Sequence, residues 1–420
     1  MDKQIVSFVS TLTHMATSAT ADQGLLRKLN TAISLDVLRR CAPLSRAELA
    51  ARTGLNRSTV SIIVNSLIEE GLIQETDLQN SKVGRPGMLL ELNPKGGFAI
   101  GVELGVDCIS VILTDFIAQV QWREQACSDP NEDQISIIER ATNLTQHALD
   151  FGLSQGLRPL GIGMGVPGLV DLRQGKLIFA PNLHWNNVPL RLIWSQRFNL
   201  PVFVENEANA AALGEYYFGA AQGVDDFIYL STGIGLGAGI VLGGKLFRGS
   251  HGYASEVGHM TVDPHGELCG CGKHGCWETQ VGPRAVIRRV RKTLKTGVAS
   301  ALCSLVHGDL ESISFEGVVQ AASQGDSVAL SALQEVGEQL GIGVANLVNV
   351  FNPELIVLGG ALNHASAILL PIVTRLINEN ALAPARENVR VAASAHGTDA
   401  CLMGAVALVL DDILREPISA

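Results

Sequence analysis

Hydrophobic residues recur at helical spacing near the start of the chain. Leu25, Leu29, Ile33 and Val37 are four positions apart and Leu38 follows Val37, so they fall on one face of a helix. The basic side chains of the same segment lie off that face. The pattern therefore predicts an amphipathic helix as the first element.

Two further helices are predicted from their start signals. Ser45 and Glu48 are spaced as a capping box, in which the serine side chain accepts hydrogen bonds from first-turn amides. Gly54 suits the left-handed residue that ends such a helix. Asn56 is placed to cap a third helix. The buried stripe of that helix is predicted to be Val60, Ile63, Val64 and Leu67.

Two short runs, 72–76 and 88–92, predict strands joined by a polar turn that carries Arg85. Together with the helices they predict a winged helix-turn-helix domain over residues 25–95. Polar side chains at a helix start suit the major groove, and an arginine at a wing tip suits the minor groove or a phosphate. The candidate DNA contacts are Arg46, Asn56, Arg57, Ser58, Thr59, Ser61 and Arg85. The alternative is a small helical module that binds protein.

The charge distribution favours the DNA-binding interpretation. The whole chain carries a net charge of −10, whereas residues 25–95 carry ten Lys/Arg against seven Asp/Glu. A mildly basic unit on an acidic body is typical of a DNA-binding head on a larger domain.

Beyond residue 95 the pattern changes to apolar strands that end in glycine-rich turns. The predicted strands lie at 98–107, 108–115, 160–166, 202–205, 227–231 and 355–360. Two halves that each open with a strand, a glycine turn and a second strand predict a duplicated α/β body, assigned to residues 96–420, with a cleft between two lobes. Residues 1–24 are weakly patterned and are assigned no structure.

The chain contains neither a basic-then-apolar leader nor an apolar run of about 18 residues. We therefore expect a cytoplasmic protein without a membrane span. Eight cysteines, three clustered and five scattered, do not have the pattern of a disulfide framework and favour metal binding.

The clustered cysteines are Cys269, Cys271 and Cys276, and glycines between them allow sharp turns. Three thiolates and an imidazole are the ligand set of a closed tetrahedral zinc site. His259 is the first candidate for the imidazole and His265 the second. The alternative is a glycine-rich loop whose thiols bind nothing.

These motifs resemble the ROK family (repressors, open reading frames, kinases), and its winged-helix repressor branch in particular. The most specific segments are Glu256-Val-Gly-His259 and Cys269-Gly-Cys-Gly-x-x-Gly-Cys276-x-Glu278, and the match runs from about Leu25 to the C-terminus. The resemblance implies an actin-like fold, with two ribonuclease-H-like lobes around a sugar cleft.

The resemblance also implies the site residues. Structural Zn²⁺ would be held by His259, Cys269, Cys271 and Cys276, and the expected sugar contacts are Asn186, Asn206, Glu207, Glu256, His259 and Glu278. His259 would bind zinc through one ring nitrogen and face the sugar with the other, so that the metal sets its tautomer. The alternative is that Glu256 and Glu278 only support the zinc loop.

Two departures from the kinases of the family predict that the chain is not an enzyme. Their phosphate loop reads Asp-x-Gly-Gly-Thr, but here Glu103-Leu-Gly105 is followed by Val106 and Asp107, which place a side chain and a negative charge where phosphate would sit. Glu207 replaces the aspartate that acts as general base, and a misplacement of about 1 Å can cost ~100-fold in rate. We therefore predict no catalytic residues. An ATP-dependent sugar kinase with a DNA-binding head remains the alternative.

The sequence thus predicts a sugar-responsive repressor that acts as a homodimer or tetramer on a pseudo-palindromic operator. The effector is expected to be an unphosphorylated sugar, with xylose, glucose and N-acetylglucosamine as candidates. Xylose metabolism is the process that we expect the protein to regulate. A third possibility is a regulator controlled by a protein partner, with a vestigial cleft.

Overall fold

The structure, a computed structural model, describes residues 23–76, 88–129, 131–233 and 235–415. The first part of the chain folds as a small head. Its described elements are α1 (Gln23–Cys41), β1 (Leu44–Ser45), α2 (Arg46–Thr53), α3 (Arg57–Glu69), β2 (Ile73–Thr76) and β3 (Leu89–Leu92). The strands form an antiparallel sheet in the order β1-β3-β2.

The predicted helix boundaries of the head are confirmed. Ser45 and Glu48 form the capping box, and Gly54 ends α2 in the left-handed region with φ 72°. The Asn56 side chain accepts from the backbone N–H of Thr59 at the start of α3. The sequence did not reveal β1, because two residues are too few to display a period. Arg85, the predicted wing-tip contact, lies outside the described residues.

The first lobe of the body follows the head directly. Its described elements are β4 (Phe98–Leu104), β5 (Cys108–Asp115), β6 (Val120–Cys127), α4 (Gln134–Ser154), β7 (Pro159–Val166), β8 (Leu169–Asp171), β9 (Lys176–Ala180), β10 (Trp185–Val188), α5 (Leu190–Phe198) and β11 (Val202–Asn206). The main sheet has the order β11-β7-β4-β5-β6, and β8, β9 and β10 form a smaller sheet beside it.

The second lobe carries the rest of the chain. Its described elements are α6 (Glu207–Phe218), β12 (Phe227–Thr232), β13 (Leu236–Leu242), β14 (Lys245–Leu246), α7 (Pro283–Leu294), α8 (Ala301–Leu305), α9 (Phe315–Ser323), α10 (Ser327–Phe351), β15 (Leu355–Gly360), α11 (Ser366–Asn380), α12 (Ala383–Arg386), β16 (Arg390–Ala393) and α13 (Ala400–Arg415). Its sheet has the order β14-β13-β12-β15-β16.

The two main sheets share one topology, as far as the described strands extend. In the first, β4, β5 and β6 form an antiparallel meander, and β7 and β11 are added parallel to β4. In the second, β12, β13 and β14 form the meander, and β15 and β16 are added parallel to β12. The predicted duplication of the body is therefore confirmed.

Helices α6 and α13 lie side by side between the two sheets. Their backbones approach so closely that an added Cβ on Gly404 of α13 would lie 1.7 Å from the carbonyl oxygen of Ala210 in α6. An added Cβ on Gly163 of β7 would lie 1.8 Å from the carbonyl oxygen of Ala405. Only glycine fits at such positions, so the two helices and the first sheet are packed backbone against backbone.

The hydrophobic core of the head is continuous with that of the body. One buried cluster includes Leu35 and Leu38 of α1 together with Tyr217 of α6 and Leu410 of α13. The head is therefore seated on the pair of central helices. Within the described ranges, none of the helices combines the length and the apolar character that crossing a bilayer demands.

Candidate functional site

A cleft of about 810 Å³ opens between the two lobes. Turns at the ends of β4, β7, β12 and β15 line it, together with the first residues of α6 and α13. In open α/β folds, ligands bind beyond the carboxyl ends of parallel strands. The cleft therefore lies where this topology favours a ligand site.

A cluster of sulfur and imidazole groups forms part of the cleft wall. One ligand atom from each of His259, Cys269, Cys271 and Cys276 lies within 4.8 Å of all the others. The Sγ atoms of Cys271 and Cys276 are 3.6 Å apart, as are Cys269 Sγ and His259 Nδ1. A tetrahedron with Zn–S bonds of ~2.3 Å has edges of roughly 3.8 Å. The donor set and its spacing therefore fit Zn²⁺.

The local fold explains this convergence. The cysteine segment turns back on itself through bridges between Thr261 and Cys276 and between Leu268 and His274. His265 is not among the clustered donors; its backbone N–H bonds to the side chain of Asp263.

The two ring nitrogens of His259 point in different directions. Nδ1 faces the thiols and lies 3.6 Å from Glu278 Oε1, whereas Nε2 lies 3.9 Å from Glu256 Oε2. Both carboxylates line the cleft. The imidazole therefore separates the cysteine cluster from the open cleft, with one nitrogen on each side.

The carboxylates around His259 differ in how firmly they are held. Glu278 accepts from Cys269 Sγ at 2.7 Å and from the backbone N–H of Leu236 at 3.3 Å. Glu256 is more exposed, and burial raises its pKa while the neighbouring His259 opposes that rise. Glu278 thus supports the cysteine loop, and Glu256 presents its oxygens to the cleft.

Asn206 caps helix α6 at the cleft. Its Oδ1 accepts from the backbone N–H groups of Ala208 and Asn209, and its Nδ2 donates to the Gly168 carbonyl. An amide nitrogen carries two protons, and one of them is not used in these contacts. Asn206 can therefore donate one hydrogen bond into the cleft while it fixes the turn that follows β7.

Asn186 is not among the residues that line the cleft, whereas Asn182 is. Successive side chains of a strand point to opposite faces. Because Trp185 of β10 is buried, Asn186 is turned outward and is exposed. Asn182, four residues earlier in the same segment, lines the cleft, while Asn186 stays a predicted contact that the cleft lining does not include.

Two half-buried acids, Glu103 and Glu207, lie on the floor of the cleft. Burial and the charge of Glu207 raise the pKa of Glu103 to about 8, and burial and the charge of Glu256 raise the pKa of Glu207 to about 7. Asp399 and Cys401, from the start of α13, line the same region. The sequence indicated Glu103 and Glu207 through the altered kinase motifs, but it gave no signal that α13 would reach them.

The predicted DNA contacts in the head differ in their availability. Arg46 pairs with Glu75 at 2.9 Å and donates to Asn65 at 3.0 Å. Asn56 is used as the helix cap, and Ser61 donates to the Arg57 carbonyl. Thr59 is half-buried. The exposed side chains at the start of α3 include Arg57 and Ser58, which makes these two the best placed of the predicted contacts.

Comparison with known proteins accounts for the combination of head and lobes. The ROK family model matches residues 99–412, and an IclR helix-turn-helix domain model matches residues 35–77. The chain belongs to the ROK family. In addition, the head matches a known class of helix-turn-helix domain.

A curated relative resembles this ROK protein over nearly its whole length. The xylose repressor of Caldicellulosiruptor bescii is 39% identical over 393 residues, which cover 94% of this chain and 98% of the relative.

Solved structures give the same result for the fold. A ROK family transcriptional regulator, described as a homolog of the E. coli MLC protein, matches with a TM-score of 0.79 and 31% identity over 93% of this chain and 97% of that one. A ROK family glucokinase from Streptomyces griseus, in complex with glucose and AMPPNP, matches with a TM-score of 0.67 and 34% identity. The match covers 74% of this chain and 99% of the glucokinase. The glucokinase therefore matches a large part of the ROK protein but not the whole chain.

Proposed function

We propose that this ROK protein is a sugar-responsive transcriptional repressor that binds operator DNA through its head and an unphosphorylated sugar in the cleft. The observation that carries the proposal is the placement of His259. It stands between the cysteine cluster and the cleft, with Glu256 beside its outward nitrogen. The similarity to a xylose repressor over 94% of the chain supports the regulatory role.

The chemistry of the cleft wall supports a sugar without a phosphoryl group. Glu256 and Glu278 line the same cleft, and Glu207, which its raised pKa of about 7 leaves only partly ionised at neutral pH, lies on the cleft floor. Ionised carboxylates accept hydrogen bonds from hydroxyl groups, and these charge-assisted bonds are stronger than neutral ones. The same charges would repel a phosphoryl group at short range. Xylose is the first candidate because of the relative's name, with glucose and N-acetylglucosamine as the alternatives.

Zinc fits the donor set of His259, Cys269, Cys271 and Cys276. When bound, it supplies a rigid tetrahedral crosslink with no position open for catalysis. A metal on Nδ1 leaves the outward Nε2 of His259 as the nitrogen that can face a sugar hydroxyl. A zinc-bound Cys269 would be a thiolate with no proton to donate, so Glu278 would keep its hydrogen bond from the backbone N–H of Leu236, and Glu256 would be left to bind the ligand.

The exposed start of α3 supports binding of the head to DNA, and we further propose that the protein binds as a dimer or tetramer. The exposed Arg57 and Ser58 start α3, where a recognition helix contacts bases and phosphates. Two heads related by a twofold axis would read half-sites about 34 Å apart on a pseudo-palindrome. Arg85, in the segment between β2 and β3, would add a contact in the minor groove or to a phosphate.

A sugar kinase is the second candidate function, and one observation favours it. The pKa of Glu207 is raised to about 7, and a general base works best when its pKa is near the operating pH. Against it stand Val106 and the exposed Asp107, which border the cleft where a phosphate loop would need glycine and backbone amides.

The experiment that tests the proposal uses a duplex selected by the full-length protein from a random-sequence library. Fluorescence anisotropy then measures affinity for that duplex while xylose, glucose, N-acetylglucosamine or their phosphates are titrated. We expect one unphosphorylated sugar to change the affinity at least tenfold. If no sugar changes it, the proposed sugar response is wrong. Formation of ADP from ATP at about one turnover per second or faster would instead support the kinase.

A further inference from the structure

Helix α6 connects the cleft to the head in a single element. Its cap Asn206 and its first residue Glu207 line the cleft, and Tyr216 and Tyr217 in its last turn lie against α1 of the head. Twelve residues at ~1.5 Å each span about 18 Å. A displacement of α6 at the cleft can therefore reach the head through one helix, with no loop between the two sites.

The head contacts α6 through two adjacent arginines. The guanidinium of Arg39 lies over the ring of Tyr217, 4.5 Å from its centroid, and Nη1 donates to the Tyr217 carbonyl at 3.1 Å. Arg40 lies 5.9 Å from the ring centroid of Tyr216. Asp36 pairs with both arginines at 2.9 Å. The arginines are therefore held in fixed orientations against the tyrosine rings.

Helix α13 runs beside α6 and reaches both ends as well. Asp399 just before its start and Cys401 in its first turn line the cleft, and Asp411 near its end accepts a hydrogen bond from the Tyr217 hydroxyl. The close approach of Gly404 to Ala210 prevents one helix from sliding freely along the other. The buried Glu215 adds a further tie, because it accepts from the backbone N–H groups of Ala395 and His396 just before α13.

We propose that α6 and α13 move as one unit that carries the effector state of the cleft to the head through the contact between Arg39 and Tyr217. This inference rests on the proposed sugar response. A coupling between two sites requires an element whose arrangement both sites can bias. Asn206 and Glu207 bias the helix pair when the cleft is filled, and Arg39 and Arg40 transmit that bias to α1.

The test compares Arg39→Met with Arg52→Met in the full-length protein. Methionine keeps an unbranched apolar stem but removes the guanidinium over the Tyr217 ring. Arg52 is an exposed head arginine in α2 that donates to Cys41 within the head. For each variant, operator affinity is measured with and without saturating sugar, and sugar affinity is measured separately.

We expect Arg39→Met to reduce the sugar-induced change in operator affinity at least tenfold, while its sugar Kd stays within threefold of wild type. Arg52→Met should keep the wild-type ratio of operator affinity without sugar to operator affinity with sugar. If Arg39→Met leaves this ratio unchanged, the proposed coupling is wrong. An absent response in the wild-type protein overturns the proposed function itself, so the two failures are distinguishable.

Hydrogen exchange of the wild-type protein provides a second readout that does not depend on a variant. Sugar should change the exchange of backbone amides in residues 34–41 of α1 and 214–218 of α6 at least threefold. A change confined to the cleft, with α1 unaffected, would overturn the inference even if Arg39→Met does not fold.

A separate observation concerns two cysteines of the first lobe. Cys108 and Cys127 are directly opposite each other on β5 and β6. The backbone N–H of Ser128 donates to the carbonyl of Asp107 at 2.9 Å, and these two residues are the next opposed pair. Cys108 and Cys127 therefore form a non-hydrogen-bonded pair. In antiparallel sheets the Cα atoms of such a pair are about 4.5 Å apart.

This spacing lies within the range of ~4.4–6.8 Å that a disulfide requires. Opposed side chains share a face of the sheet, and here that face also carries Ser110 and Gln125, which line the cleft and bond to each other at 3.1 Å. Cys127 is exposed and Cys108 is half-buried at the cleft edge. An oxidant in solution can therefore reach the pair.

We infer that Cys108 and Cys127 form a reversible redox pair whose disulfide stiffens the cleft wall next to the turn at residues 105–107. With a peroxide as oxidant, the Cys127 thiolate attacks one peroxide oxygen, which gives a sulfenic acid and water. The Cys108 thiol then attacks the Cys127 sulfur, forms the S–S bond and displaces the sulfenic hydroxyl as the second water. Two thiols and one hydrogen peroxide thus give one disulfide and two waters.

Trypsin offers a direct test, because Arg123 lies between the two cysteines and Lys95 and Arg140 flank them. The zinc-loaded protein is treated with hydrogen peroxide, alkylated and digested. We expect peptides 96–123 and 124–140, each with a single cysteine, to be recovered as one linked species that dithiothreitol separates. Cys127→Ser should yield no linked species with peptide 96–123.

Sugar affinity is measured in the oxidised and reduced states of the wild-type protein. We expect the disulfide to change the sugar Kd at least threefold and reduction to restore it, with no change on oxidation of Cys127→Ser. Recovery of both peptides unlinked, or an unchanged Kd in the linked protein, would overturn the inference.

Discussion

His259 and Cys269 define the boundary between the cysteine loop and the cleft. The Nδ1 atom of His259 lies 3.6 Å from the Sγ atom of Cys269, and the opposite side of the ring faces Glu256. A single imidazole therefore belongs to both the candidate metal centre and the candidate sugar site. Any change that frees the loop should also alter the cleft.

Cys271→Ser tests this relationship. The substitution removes one of the four clustered donors, so we expect the zinc content to fall from about one equivalent per chain to a small fraction of that. Cys303→Ser is the matched control, since Cys303 is a free cysteine outside the cluster. Inductively coupled plasma mass spectrometry measures the metal in both. Unchanged zinc in Cys271→Ser would show that the cluster has been assigned wrongly.

Glu256→Gln separates sugar binding from DNA binding. The variant keeps the size of the side chain but removes the charge that strengthens a hydrogen bond from a hydroxyl. We expect the sugar Kd to rise about tenfold or more, with operator affinity in the absence of sugar unchanged. Glu338→Gln, on the exposed surface of α10, is the matched control. Calorimetry provides the sugar Kd; equal values for both variants would exclude Glu256 as a contact.

The half-buried acids Glu103 and Glu207 predict a pH dependence of stability. A glutamate in the unfolded chain loses its proton near pH 4.5, whereas burial in the folded protein raises the pKa of Glu207 to about 7 and that of Glu103 to about 8. Between pH 4.5 and about pH 7 to 8 the folded state therefore binds more protons than the unfolded state, so a rise in pH through this range favours unfolding. Stability should therefore fall from pH 5 to pH 8.

Thermal denaturation of the protein without sugar measures this effect. We expect the midpoint to fall by about 2–5 °C between pH 5.5 and pH 8 because of these acids. Glu207→Gln, which cannot ionise, should show a smaller fall over the same range. The groups that share the cleft floor include Glu256, Asp399 and Cys401, so Glu256→Gln is measured in parallel. An identical fall in Glu207→Gln and wild type would contradict the assignment.

The sequence predicted the elements best where a local signal determines the structure. Ser45, Gly54 and Asn56 act within one helical turn of their own positions, and the structure places all three as expected. The strands of the body were recognised because an uninterrupted apolar run is typical of a strand buried on both faces. The sulfur cluster was recognised because its cysteines lie within eight positions of one another.

The remaining features depend on contacts between distant parts of the chain. Asn182 lines the cleft and Asn186 does not, in a segment whose Leu183 and Trp185 are buried in the core of the first lobe. Asp399 reaches the cleft only because α13 packs against the first sheet. The contact between Arg39 and Tyr217 joins residues 178 positions apart. No local pattern records such pairs, so only the folded chain reveals them.

Arg57→Ala tests the DNA contact in the head. Arg57 is exposed at the first position of α3. If its guanidinium contacts a phosphate, its removal should weaken operator binding and reduce the slope of log affinity against log salt by about one. Arg375→Ala, on the surface of the body, is the control and should leave the slope unchanged. A sequence-dependent loss with no change of slope would instead indicate a contact to a base.

Gly404→Ala tests the packing of the central helices. An added Cβ at Gly404 would lie 1.7 Å from the Ala210 carbonyl oxygen, and both helices would have to separate to accept it. Overpacking of this kind typically destabilises by about 1–3 kcal/mol, or more where backbone is the obstacle. Gly317→Ala is the control, because its nearest neighbour is the Ser314 hydroxyl at 3.3 Å and alanine is a better helix former. We expect the thermal midpoint to fall clearly for Gly404→Ala and to stay or rise slightly for Gly317→Ala. Equal midpoints for the two variants would show that α6 and α13 can move apart easily, which would also weaken the case that they act as one unit.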